Sequence, residues 1–197
     1  MSNTIDDTVP LPQVAIIGKP NVGKSTLFNR FVGHREAIES QIPGTTRDSI
    51  SYGIEAKIPF ELLDVAGIVD RKNIKDLDEI EENVQSQAVE ATKKADLLVF
   101  LVDAKEGLTH EDVSVAEIIR KSGKPFLFAC NKSEGKSEVD IFDFSSLGLG
   151  VPIMISAAHK IGLGELLDKI SEILANSNFK KSPKKKALKK KEFALLS

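Results

Sequence analysis

Cysteine is almost missing from this 197-residue chain. Cys130 stands alone, so no disulfide can form within it, and the composition fits a reducing cytosol. No apolar run is long enough to span a bilayer. The opening MSNTIDDTVP has no basic stretch followed by a hydrophobic one, which excludes a secretory signal there. A cytoplasmic protein without membrane contact is the expectation. The three histidines, His34, His110 and His159, carry no spacing that suggests a metal and read as surface or packing residues.

What is present is ordinary globular material: 41% hydrophobic and 28% charged residues, enough for one domain with a full core and some extra chain. The net charge of −2 conceals a division. Eight of the 27 basic residues fall in KKSPKKKALKKK (180–191), leaving residues 1–179 with 19 basic against 28 acidic side chains. An acidic body with a basic tail reads as a solvated linker, or as an electrostatic arm for RNA.

Hydrophobic periodicity alternates between strand and helix. VAII (14–17) is a buried-strand run, and KSTLFNRFV (24–32) repeats apolar residues at helical spacing. Residues 33–48, ending in PGTTRD, read as a loop; SYGIEAKIPFELLD reads as two strands broken near 57–59. Then follow a helix in DEIEENVQSQAVEATKKA, a strand DLLVFLVD, a helix HEDVSVAEIIRKSG ending on Gly123, and a strand PFLFACN. A short helix near 137–145, a strand VPIMIS and a helix GLGELLDKISEILA complete the order. Strands apolar on both sides, separated by amphipathic helices, predict an α/β fold with a mainly parallel sheet covered on both faces. Ligands then sit beyond the carboxyl ends of the strands.

GKPNVGKS (18–25) matches GxxxxGK[ST] with a strand before it and a helix after it. Gly18 and Gly23 allow the tight turn that aims backbone N–H groups from Asn21 through Val22 and Gly23 to Lys24 at phosphate oxygens. The helix that follows adds its positive N-terminal end, so the expected phosphate cradle extends to Ser25 and Thr26. Lys24 would bridge the β- and γ-phosphates and act in catalysis, and the Ser25 hydroxyl would ligate Mg²⁺.

This loop alone does not separate GTPases from ATPases and small-molecule kinases; later motifs do. DVAG (64–67) places Asp64 at a strand's carboxyl end, where it can hold Mg²⁺ through water, and Gly67 can offer its N–H to a γ-phosphate. Asn131, Lys132 and Glu134 follow PFLFAC as a variant of the NKxD pattern, in which Asn bonds the guanine edge, the Lys stem lies along the ring and the acid accepts two hydrogen bonds from guanine. The acid here is one methylene longer than the usual Asp; it can accept both bonds if the loop retreats, so guanine preference should survive in weakened form. In SAAH, Ser156 would brace the last loop and the Ala157 N–H would reach the guanine carbonyl, with Ala158 beside it.

Taken together, GKPNVGKSTLFNR, PGTTRD, DVAGI, VQSQAVEATKKADLLVFLVDAKEGLTHED, NKSE, SLGLG and ISAAH resemble, in order and spacing, the first GTPase domain of the EngA (Der) family. The GTPase domains of Era and MnmE share the P-loop and PGTTRD. The resemblance runs from about Gln13 to Ala175 and implies a three-layer, Ras-like P-loop fold with a six-stranded sheet. It implies a GTP-hydrolysing switch from a tandem-GTPase protein that acts in assembly of the large ribosomal subunit. It further implies that Thr46 ligates Mg²⁺ and touches the γ-phosphate, and that Asn21 helps hold a K⁺ beside the phosphates. Ile68 stands where Ras-like GTPases place a glutamine after DxxG, so the attacking water must be held by backbone groups. Slow hydrolysis stimulated by K⁺ is the expectation.

The predicted organisation is a flexible N-terminus at 1–12, a GTPase domain at 13–176, a Lys-rich linker at 177–191, and in EFALLS (192–197) the truncated first strand of a second GTPase domain. The family's linkers are often acidic, so the lysine run departs from the pattern. Two function classes stay open: a Mg²⁺-dependent GTPase binding GTP and GDP, or a nucleotide-gated module for ribosomal RNA or the large subunit that hydrolyses little alone. An ATPase or kinase is the third. The isolated domain is expected to be a monomer.

Overall fold

A computed structural model describes residues 11–33, 51–64, 77–135 and 139–176. The loop 33–48 beyond Gly33, DVAGIVD beyond Asp64, and everything after 176 lie outside the described residues, so the expectations on Thr46, Gly67, Ile68 and the basic tail do too.

The strands are β1 (Gln13–Ile17), β2 (Ser51–Ile54), β3 (Phe60–Leu63), β4 (Leu97–Asp103), β5 (Phe126–Asn131) and β6 (Ile153–Met154). The helices are α1 (Lys24–Val32), α2 (Leu77–Lys94), α3 (His110–Ser122) and α4 (Leu163–Asn176), with a 3₁₀ segment at Val139–Leu147. The strands form one sheet in the order β2-β3-β1-β4-β5-β6, antiparallel only between β2 and β3. The expected six-stranded, mainly parallel α/β sheet is what is found.

Strand β4 shows why this sequence makes a three-layer fold. All seven of its residues are buried. Leu97, Val99 and Leu101 face one core with α1 and α4; Leu98, Phe100 and Val102 face the other with α2 and α3. That alternation is the two-residue period of a strand covered on both sides. The helices answer with a stripe of their own: Val84, Ala88 and Ala91 on α2, and Leu166, Ile170 and Leu174 on α4. Small alanines on α2 let it sit close to the sheet, while α3 contributes Val115, Ala116 and Ile119 to the same core.

Two readings need adjustment. The strand expected over VPIMIS is ordered as β6 only at Ile153–Met154, because Ser156 leaves the ladder to pair with Ile161 in a separate bridge. The short helix near 137–145 is a 3₁₀ segment two residues further along, which buries Phe144 and Leu147 against the α2–α3 core. Helix α3 stops as expected at Gly123, whose φ of 64° is left-handed.

Candidate functional site

The carboxyl ends of β1, β4, β5 and β6 gather the motif loops on one edge of the sheet. Residues 18–23 join β1 to α1. Two glycines there are required by packing as well as by turning. Gly18 has φ 148°, and a Cβ on it would collide with the Leu101 carbonyl of β4. Gly23 is the left-handed N-cap of α1 at φ 99°, and its Cβ would strike the Asn131 side-chain amide. Asn21 also takes a positive φ, 62°, and is exposed at the bend. Ser25 and Thr26 are exposed in the first turn of α1, while Val22 is fully buried beneath the loop.

Lys24 turns its ammonium back onto the loop, donating to the Gly18 carbonyl at 2.7 Å and the Lys19 carbonyl at 2.6 Å. Burial lowers its pKa to about 8. Beside it lies a cavity of about 250 Å³ whose lining includes Lys24, Ser25, Asp64 and Gln87, with Phe28 and Tyr52 meeting edge-on along one wall. A hydroxyl at Ser25 and a carboxylate at Asp64 on one cavity are oxygen donors of the kind Mg²⁺ takes. A larger hollow of about 790 Å³ lies between Lys57, Ile58 and α4, but it brings together none of these groups.

At the other end, Asn131 is 3% exposed and joins three loops. Its Nδ2 donates to the Val22 carbonyl of the phosphate loop at 2.7 Å, and its Oδ1 accepts the Ala157 N–H at 2.9 Å. One amide hydrogen and one lone pair are left over for a ligand. The Ala157 N–H, expected to face a guanine carbonyl, is therefore engaged within the protein. The loop 156–158 is held from the far side as well: Arg30 of α1 donates to the Ala157 and Ala158 carbonyls at 3.0 and 2.9 Å. Ser156 Oγ accepts the His159 N–H at 3.3 Å, a hydrogen bond within its own loop.

Lys132, at φ 60°, pairs with Asp103 at the end of β4. Burial would raise the Asp103 carboxyl, but hydrogen bonds from Lys132 and the Lys105 and Glu106 N–H groups outweigh it and hold it below the ordinary range. Glu134 accepts from Lys105 Nζ at 2.6 Å. That bond, then its own N–H and the nearby Ser156 hydroxyl, lower the Glu134 pKa to about 2. Its second oxygen, Oε2, is buried without a hydrogen-bond partner.

Sequence reasoning missed Lys19. It occupies an unspecified position of the phosphate-loop motif, yet it is 4% exposed, donates to Thr109 Oγ1 at 3.2 Å and lies 3.1 Å from Glu106 and 3.4 Å from Asp112. Thr109 in turn gives its N–H and hydroxyl to Asp112 Oδ2, so the start of α3 is tied to the phosphate loop. Burial raises the Asp112 carboxyl, against the pull of Lys19 and Thr109. The run KEGLTHED supplied these partners, but only folding brings them ninety residues back to Lys19. Cys130 is inert by comparison: burial first, then the charges of Asp103 and Asp112, push its thiol up to about 12.

A glycine loop clasped between a buried parallel strand and a helix, with asparagine reaching into it from the end of β5, is the architecture of a P-loop nucleotide-binding domain of the GTPase class. Residues 13–132 match the model of the 50S ribosome-binding GTPase family. GTPase Der of Thermomicrobium roseum is 47% identical over 171 residues, covering 84% of this chain and 37% of that protein. Among solved structures, an Era variant of Aquifex aeolicus bound to GDP·AlF4⁻ is 30% identical, with a TM-score of 0.59, over 81% of this chain and 56% of its own. Era in complex with MgGDPNP and nucleotides 1506–1542 of 16S ribosomal RNA is 28% identical, with a TM-score of 0.60, over 83% and 57%. The chain belongs to the 50S ribosome-binding GTPase family. It spans little more than a third of the Der relative's length.

Proposed function

We propose that this domain binds GTP and GDP with Mg²⁺ and hydrolyses GTP slowly, as the switch of a large-subunit assembly factor. The observation that carries the reading is Asn131: one buried amide ties the phosphate loop to the loop of Ser156, so the phosphate-binding and base-reading parts form a single site. In this reading the N–H groups from Asn21 to Lys24 and the start of α1 cradle the phosphates. Lys24 would exchange the Gly18 and Lys19 carbonyls for the β- and γ-oxygens, an exchange its burial favours, because phosphate supplies a counter-charge where the two carbonyls offer only dipoles. Bound Mg²⁺ would neutralise developing phosphate charge, held by Ser25 and, through water, Asp64, with Thr46 completing the set. Gly67 would give its N–H to the γ-phosphate. Glu134, Lys132 and Asn131 would read guanine, with Ala157 and Ala158 lining its carbonyl edge.

Ile68 has no hydrogen-bonding group, so water is oriented by backbone and the intrinsic rate is low. Asn21, exposed at the left-handed bend, would carry a K⁺ beside the phosphates. Phosphate release in K⁺ should exceed that in Na⁺; equal rates would remove the potassium assignment. The first measurement is competition for bound GDP: GTP should displace it and ATP should not, and equal displacement would overturn the guanine reading.

The relative bound to ribosomal RNA and the family's description support an RNA or large-subunit partner, which implies a cytoplasmic setting. The run 180–191 then acts as linker or RNA arm. RNA affinity that falls steeply with salt, and drops when Lys180–Lys191 are neutralised, would support the nucleotide-gated RNA reading beside the catalytic one.

A further inference from the structure

Glu134 gives the base site a difficulty that the shorter aspartate avoids. The additional methylene adds a rotatable bond, so the carboxylate can swing out of the plane in which a base must lie. In this structure the swing is blocked. Lys105, two residues past the end of β4, grips Oε1 at 2.6 Å, while Oε2 is left buried with no partner of its own. Lys105 is itself well placed to do this, because its N–H is held at 2.8 Å by Asp103, the same carboxylate that pairs with Lys132.

We propose that Lys105 is a positioning residue for base recognition: by holding Glu134 Oε1 it fixes where the carboxylate stands beside Asn131 and Lys132, and so sets how strictly this site discriminates guanine. The inference rests on the reading that the domain binds guanine nucleotides. It explains how a glutamate can stand in the acid position, since the longer side chain reaches Lys105 and is stiffened by it. A pair 56% and 26% exposed contributes little to fold stability, so its effect should fall on selectivity.

The test compares GDP with IDP, whose base lacks the exocyclic amine that a correctly placed carboxylate reads. Dissociation constants would be measured for the wild type, Lys105→Met, Lys105→Arg, Glu134→Asp and the Lys105→Met/Glu134→Asp double variant. Lys105→Met should lower the GDP-over-IDP preference about two- to fivefold, and Lys105→Arg should restore most of it. In the Glu134→Asp background the shorter carboxylate no longer reaches residue 105, so Lys105→Met should change nothing. An unchanged preference in Lys105→Met, or an equal fall in both backgrounds, overturns the proposal while leaving the guanine reading intact. A wild-type protein that binds no GDP overturns both.

Discussion

At the phosphate end of the site, Lys24 bonds two carbonyls five and six residues away in its own loop. At the base end, Asn131 reaches across 109 residues to Val22 and 26 to Ala157. One end is therefore assembled by local backbone geometry, the other by side chains that meet only when β1, β4, β5 and β6 are aligned in one sheet. The difference shows in what is left unsatisfied. Lys24 has two carbonyl acceptors, whereas Glu134 keeps a buried oxygen with no hydrogen-bond partner. A phosphate chain should thus be held by whatever has the loop, and the choice of base by whether the distant pieces stay in register.

The largest effect is expected at Lys24. Lys24→Met should weaken GDP and GTP alike, about a thousandfold, since a charge pair in a partly buried site is worth a few kcal/mol. The fold should be undamaged, because the change removes a buried ammonium; nucleotide titration and thermal melting would separate the two. The same residue sets a pH dependence. The free protein loses the Lys24 proton as pH rises through about 8, while bound phosphate favours the charged form. GDP affinity should hold steady below that pH and fall above it, and Lys24→Met should flatten the fall.

Lys19→Met attacks the tie between the phosphate loop and α3. Asp112, fully buried, would lose its cation, costing about 3 kcal/mol in urea unfolding, the low end for a broken buried pair because Asp112 can take up a proton instead. Burial already raises the Asp112 pKa, and losing Lys19 raises it further, so the deficit should shrink as pH falls and the carboxyl protonates. Asn131→Ala comes next: the Ala157 N–H and Val22 carbonyl lose their partner at a cost of about 2 kcal/mol, and guanine affinity should fall more than phosphate-only binding of inorganic pyrophosphate. The smallest effect belongs outside the site. Lys57→Ala removes an exposed pair with Asp168, 72% and 58% accessible, and should leave stability within about 0.5 kcal/mol and GDP affinity unchanged.

Much of the fold was legible because its signals are periodic. Helix α1 begins and ends where the apolar spacing of KSTLFNRFV does, and β4 is a run of seven buried residues that no amphipathic helix would carry. Helix α3 stops at a glycine. Where reading and structure parted, the cause was tertiary: β6 is short because Ser156 turns away to pair with Ile161. The site divides the same way. GKPNVGKS marked Lys24 and Ser25 by type and spacing, and the structure brings both to one cavity with Asp64. Lys19 sits in that same motif at a position where any residue is allowed, and nothing near it in the chain says it will be buried.

Sequence alone determined the class of this protein, since a glycine-rich loop between an apolar strand and an amphipathic helix is a local object whose geometry follows from Gly18, Gly23 and the helix end beside them. Tertiary structure alone decided how that loop is held and what it is joined to. The grip of Thr109, Glu106 and Asp112 on Lys19, the span of Asn131 from Val22 to Ala157, and the hold of Lys105 on Glu134 all link residues from different strand ends. Such contacts depend on which strands become neighbours, and hydrophobic period records that a strand is buried without recording what lies beside its tip.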